Sequence, residues 1–147
     1  MPKLLIVDDE KIYRENAKLK KLLKRAHLKQ NASIEDVDYR HPRGLSKQLM
    51  NELSNGNWLA NHQNIILCGP TGIGKSFLAC ALGNQACRLG FSTQNIRFPR
   101  LLEILYASRG DGTHLKQLSK LAKIQVLILE DFGLSPLSDK YRKYLLE

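Results

Sequence analysis

Gly69-Pro70-Thr71-Gly72-Ile73-Gly74-Lys75-Ser76 is the stretch whose reading decides the fold. It completes the pattern G-x-x-x-x-G-K-[ST], and the apolar run Asn64-Ile65-Ile66-Leu67-Cys68 leads into it. Glycines at 69, 72 and 74 let the backbone curl so that successive N–H groups converge on a phosphate. Lys75 supplies a point charge for the β- and γ-phosphates, and the Ser76 hydroxyl is a ligand type for Mg²⁺. A helix opening at Lys75 aims its positive dipole end at the same anion. Strand, loop and helix in that order predict a nucleotide-phosphate site lined by Gly69, Pro70, Thr71, Gly72, Ile73, Gly74, Lys75 and Ser76.

Downstream of the loop the pattern alternates. The spacing predicts a strand over 64–68, a helix over 75–88 closed by Gly90, and a strand over 92–98 ending at Pro99. Helices are predicted over 99–108 and, after Gly110-Asp111-Gly112 and a Thr113 cap, over 114–122. Gln125-Val126-Leu127-Ile128-Leu129 is apolar without alternation, the mark of a strand buried on both faces. A last helix starts near Ser138-Asp139. Strands alternating with helices predict a parallel α/β sheet.

Upstream the chain is different in kind. Residues 11–29 carry eight lysines and arginines against the single acid Glu15, while the whole chain has a net charge of +9. Leu19, Leu22, Leu23 and Ala26 fall on one helical face, with the lysines on the other. So concentrated a basic block suggests a polyanionic partner. Asn31, Ser33, Pro42 and Gly44 interrupt periodicity over 30–44, and residues 45–54 predict a short helix ending at Gly56. The domain division expected is an N-terminal basic helical region and linker over 1–44, then a partial P-loop ATPase domain over 45–147.

Composition narrows the class. With 43% apolar residues the chain can build a core. No apolar stretch reaches the roughly 20 residues of a membrane span, and the short apolar run at the N-terminus is followed by acids, unlike a signal peptide. Cys68, Cys80 and Cys87 lack metal-ligand spacing; Cys80 and Cys87 read as small buried thiols. A reducing, cytoplasmic location is the expectation. The segment Leu4-Leu5-Ile6-Val7-Asp8-Asp9-Glu10 imitates the first strand and acidic pair of a receiver domain, but no phosphoacceptor strand exists near residue 50, where Leu49-Met50-Asn51-Glu52 is helical in pattern.

A second acidic motif pairs with the loop. P-loop proteins hold Mg²⁺ partly through an acid ending a neighbouring buried strand, and Val126-Leu127-Ile128-Leu129-Glu130-Asp131 has that form. With it the chain closely resembles the IstB-type transposition helper ATPases, relatives of the DnaC helicase loader within the AAA+ class. The matching segments include Tyr13-Arg14-Glu15-Asn16, Ala32-Ser33-Ile34-Glu35-Asp36, Gly69 to Ser76, Leu78-Ala79-Cys80-Ala81-Leu82-Gly83, Gln85-Ala86-Cys87, Gly110-Asp111-Gly112 and Asp131-Phe132-Gly133-Leu134. The resemblance covers about 11–147. It implies an α/β P-loop NTPase of AAA+-like fold, binding ATP and Mg²⁺, contacting DNA through the basic helix 11–29, and recruiting or stimulating a transposase, with self-assembly on DNA. It also implies catalytic roles for Lys75, Glu130 and Asp131, with Ser76 and Glu130 on the metal.

Two departures qualify what the resemblance implies. Relatives usually end the acidic strand in Asp-Asp or Asp-Glu, whereas here it ends in Glu130-Asp131. Glu130 reaches one methylene further, and Mg²⁺ tolerates little distortion; Asp131 is the candidate for orienting the attacking water. The implied sheet has five parallel strands ordered 5-1-4-3-2, and this chain supplies only three of them. The strand missing between the phosphate-loop strand and the acidic strand is their shared hydrogen-bonding neighbour. The expectation is therefore a truncated copy that binds ATP weakly, if at all, and does not turn it over efficiently. A DnaC-like helicase loader and a non-enzymatic DNA-binding fragment are the alternative readings. Trp58 and His62 are open between an adenine contact and simple packing.

Overall fold

The apolar stripe Leu19, Leu22, Leu23 and Ala26 produces the helix it predicts. Asp9–Ala26 forms α1, with the three leucines half-buried, Ala26 fully buried and every lysine of the helix exposed. The computed structural model describes residues 9–146. Leu4 to Asp8 of the receiver-like segment thus lie outside the described residues, while Asp9 and Glu10 open α1 and place acids at the positive end of its dipole. The helix stops where His27 takes a positive φ of 49°.

Residues 30–44 are irregular apart from a single 3₁₀ turn over Ile34–Asp36. Helix α2 spans Lys47–Ser54, capped by the Ser46 hydroxyl, which accepts the Leu49 N–H at 3.0 Å. Gly56, with φ of 77°, then starts the one-turn helix α3, Asn57–Ala60. Gly56 also lies under Leu89, whose Cδ1 is 2.6 Å from where a Cβ would stand.

The strand expected over 64–68 does not form. Those residues belong to no ladder, and the only sheet among the described residues joins two other segments. The reason is pairing rather than propensity. A strand needs a neighbour to receive its N–H and C=O groups, and among the described residues no backbone hydrogen bond joins 64–68 to another segment. Its side chains still alternate as a strand's would: Ile65 and Leu67 are half-buried, whereas Ile66 is 82% exposed and Cys68 is exposed. Ile65 reaches the cluster around Met50, Val37 and Leu82.

After the loop, α4 spans Lys75–Arg88, and Gly90 at φ of 91° turns the chain. Strand β1 is Thr93–Arg97. Helix α5, Phe98–Asp111, begins with Pro99 in its first turn and ends at left-handed Gly112. Helix α6 is His114–Ala122. Thr113 stands at its cap position, but its hydroxyl is bound to the Asp111 carboxylate instead of the helix N–H groups. Strand β2, Val126–Glu130, and helix α7, Asp139–Leu146, follow.

β1 and β2 pair in parallel, Thr93 opposite Val126 through to Arg97 opposite Glu130. The architecture is α/β, an incomplete P-loop type of parallel sheet with flanking helices. Helix α4 lies across the sheet so closely at Gly83 that a Cβ there would meet Ile128 Cδ1 at 2.6 Å and Leu28 Cδ2 at 3.0 Å. Cys80, Ala81, Ala86 and Cys87 on α4 are buried, and burial pushes the Cys87 thiol above its ordinary range. Cys80 and Cys87 are thus the small buried thiols expected. Helix α1 packs on α4 and β1. No described helix is long and apolar enough to cross a membrane.

Candidate nucleotide-phosphate site

The loop before α4 has the backbone its glycines permit. Gly72 and Gly74 sit at φ of 84° and 101°, a region where a side chain would be strained. Gly74 caps α4, and its carbonyl accepts the Leu78 N–H at 3.0 Å. Gly69, Pro70, Thr71 and Gly72 are exposed; Ile73, Gly74, Lys75 and Ser76 are half-buried. The Lys75 ammonium curls over the loop, donating to the Gly69 carbonyl at 2.6 Å and the Pro70 carbonyl at 2.8 Å. Its charge therefore stands at the mouth of the curl, beside the free N–H groups of the α4 N-terminus.

A residue outside the motif grips this loop from behind. Arg43 donates through Nη1 to the Ile73 carbonyl at 3.0 Å and through Nη2 to the Asp38 carbonyl at 2.6 Å. Asp38 is itself fixed by Arg40, whose backbone N–H and Nε both donate to Oδ1, at 2.9 and 3.0 Å. The linker 38–43 is thereby tied to the phosphate loop.

The second half of the site is the carboxyl end of the sheet, where ligands of open α/β sheets gather. Glu130 is buried, with its Oε1 accepting from Asn95 Nδ2 at 3.1 Å and its Oε2 3.3 Å from Lys29 Nζ. Asp131 takes a left-handed φ of 57° and pairs with Arg97, Nε to Oδ2 at 2.6 Å. Phe98 and Phe132 stack beside them with centroids 4.8 Å apart. Asn95 also reaches Cys80 Sγ at 3.8 Å, one turn beyond Ser76 on α4. Asn95 thus joins Glu130 to α4, the helix that the phosphate loop opens.

The residues suit a phosphate and a hard cation. A positive-φ curl at a helix N-terminus is an anion cradle, and Ser76 with Glu130 offers the oxygen donors Mg²⁺ takes alongside phosphate and water. Lys29, Arg43, Asn95 and Arg97 were not legible as site residues. Lys29 read as one basic residue among eight, and the others have no local motif. Trp58 donates its indole N–H to the Leu53 carbonyl at 3.0 Å, a packing role, and His62 is exposed. A cavity of about 730 Å³ between α5 and α7 is lined by Tyr106, Arg109, Lys140, Lys143 and Tyr144, none of them from the phosphate loop.

Comparison with known proteins agrees with this geometry. Residues 3–147 match the family described as IstB-like ATP binding protein. The chain is 46% identical over 144 residues to a Pseudomonas fluorescens protein named for ATP binding in the insertion sequence IS1162, covering 97% of this chain and 62% of that protein. It is 45% identical over 143 residues to an insertion-sequence protein of Sinorhizobium fredii, also named for ATP binding, covering 97% and 58%. A Mycobacterium tuberculosis insertion-sequence protein, named likewise, is 32% identical over 127 residues. The chain spans about 60% of the length of the first two relatives.

Proposed function

The chain belongs to the IstB-like ATP-binding protein family, and on that premise we propose that it is an ATP-binding helper of insertion-sequence transposition, acting with DNA and a transposase. The observation that carries this reading is the Gly72–Gly74 curl at the start of α4 with the Lys75 ammonium at its mouth. Bound triphosphate would exchange the Gly69 and Pro70 carbonyls for its own oxygens as partners of Lys75, while the loop N–H groups hold the β-phosphate. Mg²⁺, held by Ser76, Glu130 and the phosphates, would neutralise charge on the triphosphate. DNA is assigned to the exposed lysines of α1, and assembly of several copies to the same DNA; the cytoplasm is where such partners meet.

Hydrolysis is assigned a minor place. An attacking water needs a carboxylate to orient it. Here Asn95 and Lys29 occupy Glu130, and Arg97 occupies Asp131. Binding without efficient turnover is the function that fits these contacts.

The test is titration of the chain with a fluorescent ATP analogue in Mg²⁺, beside Lys75→Ala. The variant is expected to bind at least about tenfold more weakly, a loss of about 1.4 kcal/mol. Equal affinity of the two would sink the assignment, and turnover matching an efficient ATPase would sink the view of hydrolysis.

A further inference from the structure

We propose that Arg43 is a positioning residue of the phosphate site, holding the Ile73–Gly74 peptide so that the Gly74 N–H faces the nucleotide's phosphate. The proposal rests on the ATP-binding reading above and adds a residue that lies outside the loop motif. Its geometry is unusual for a linker side chain. The guanidinium bridges two backbone carbonyls, Ile73 at 3.0 Å and Asp38 at 2.6 Å, and its Nε is buried with no hydrogen-bond partner. Leaving a charged donor in that condition is unfavourable, so the surroundings fix the group against a local cost.

What the contact does follows from the peptide unit. The Ile73 carbonyl and the Gly74 N–H are opposite ends of one planar, trans amide. A cation on the carbonyl fixes the plane's orientation, and with it the direction of the N–H on the far side. It also draws electron density toward the oxygen, making that N–H a stronger donor through the same polarisation that strengthens chains of hydrogen bonds. In a loop of this type the N–H groups face the anion. Arg43 thus acts on the phosphate through the amide and does not touch it.

Gly74 has a second reason to be glycine. Beyond its φ of 101°, a Cβ there would stand 2.7 Å from Arg43 Nη1. A side chain at that position would push the guanidinium away from where it now meets the loop. Asp38 does not compete for the cation through its side chain, because Arg40 and His41 face its carboxylate; only its carbonyl serves Arg43.

The experiment uses the 147-residue chain labelled with ¹⁵N, as wild type, Arg43→Gln and Arg43→Lys. Without nucleotide, the Gly74 amide resonance is expected to move upfield in Arg43→Gln and less far in Arg43→Lys, while the resonances of β1 and β2 hold still. Titration with Mg²⁺ and ATP is expected to show an affinity about tenfold lower for Arg43→Gln, with a melting temperature in the absence of nucleotide close to wild type. A Gly74 resonance that stays in place in both variants overturns the proposal. So does a loss of affinity matched by a general loss of stability, which marks a merely structural residue. Should Arg43→Gln fail to fold, Arg43→Lys is scored by the same two measurements. A wild-type chain that binds no ATP overturns the functional reading instead, and the Gly74 resonance then decides separately whether Arg43 governs that amide.

Discussion

Asp38 shows how much of the site depends on single residues remote from it in sequence. Its carboxylate accepts three hydrogen bonds from Arg40, with His41 Nε2 3.6 Å away. Those bonds, the Arg40 guanidinium first, lower its pKa from 3.8 to about 2. A depressed carboxylate pKa stabilises the fold above the ordinary value of 3.8, and that contribution is lost as the pH falls from there toward 2. The turn 38–43, and the Arg43 contact that the Asp38 carbonyl supports, are therefore expected to loosen over that acid range. Replacing Arg40 by Ala should return the Asp38 midpoint toward 3.8, read by NMR titration of the carboxyl carbon; an unmoved midpoint would reject the assigned cause. At this scale the sequence was legible where chemistry is local. The eight loop residues could be read because motif and neighbours coincide within one octapeptide. Arg43 and Lys29 could not, since their partners lie 30 residues away in one case and across the whole fold in the other.

Elements fared better than single contacts, and the exception is instructive. Helices α1, α2, α4, α5, α6 and α7 and strands β1 and β2 form close to where periodicity and turn residues put them. The segment 64–68 carries the same kind of signal as β2, yet only β2 becomes a strand. Helical hydrogen bonds close within a segment, so a helix can be read from its own residues. A strand's bonds close on another segment, so its sequence states a capacity that the rest of the chain must meet. Packing between elements follows a similar logic at Gly83, where α4, β2 and the turn after α1 meet. Replacing Gly83 by Val forces branched carbon against Ile128 and Leu28. It is expected to destabilise the fold by about 2 kcal/mol, seen as a lower urea midpoint. An unchanged midpoint would mean that the contact between α4 and the sheet is loose.

For the whole molecule, charge is the organising quantity. Seven lysines and arginines stand against three acids on α1, a helix whose lysines are exposed and whose leucines are turned toward α4 and β1, in a chain of net charge +9. If α1 carries the DNA contact, the triple change Lys20→Gln, Lys21→Gln and Lys24→Gln should flatten the dependence of log affinity on log salt by about 2 to 3 units for duplex DNA, roughly 0.9 for each phosphate no longer neutralised. Fluorescence anisotropy across a salt series measures this, and an unaltered slope would move the contact to another surface.

Lys29, just past the end of α1, is engaged inside the molecule. It lies 3.3 Å from Glu130 at the end of β2 with most of its side chain exposed, and an ammonium shared between that carboxylate and an outside anion interacts less fully with each. The two demands compete, so they are coupled through mass action. If Glu130 takes a cation as proposed above, whatever draws Lys29 outward would favour that cation, and the cation would weaken the hold of Lys29 by the same free energy. Reciprocity of this kind needs no hinge and no moving domain, only one side chain shared between two claims.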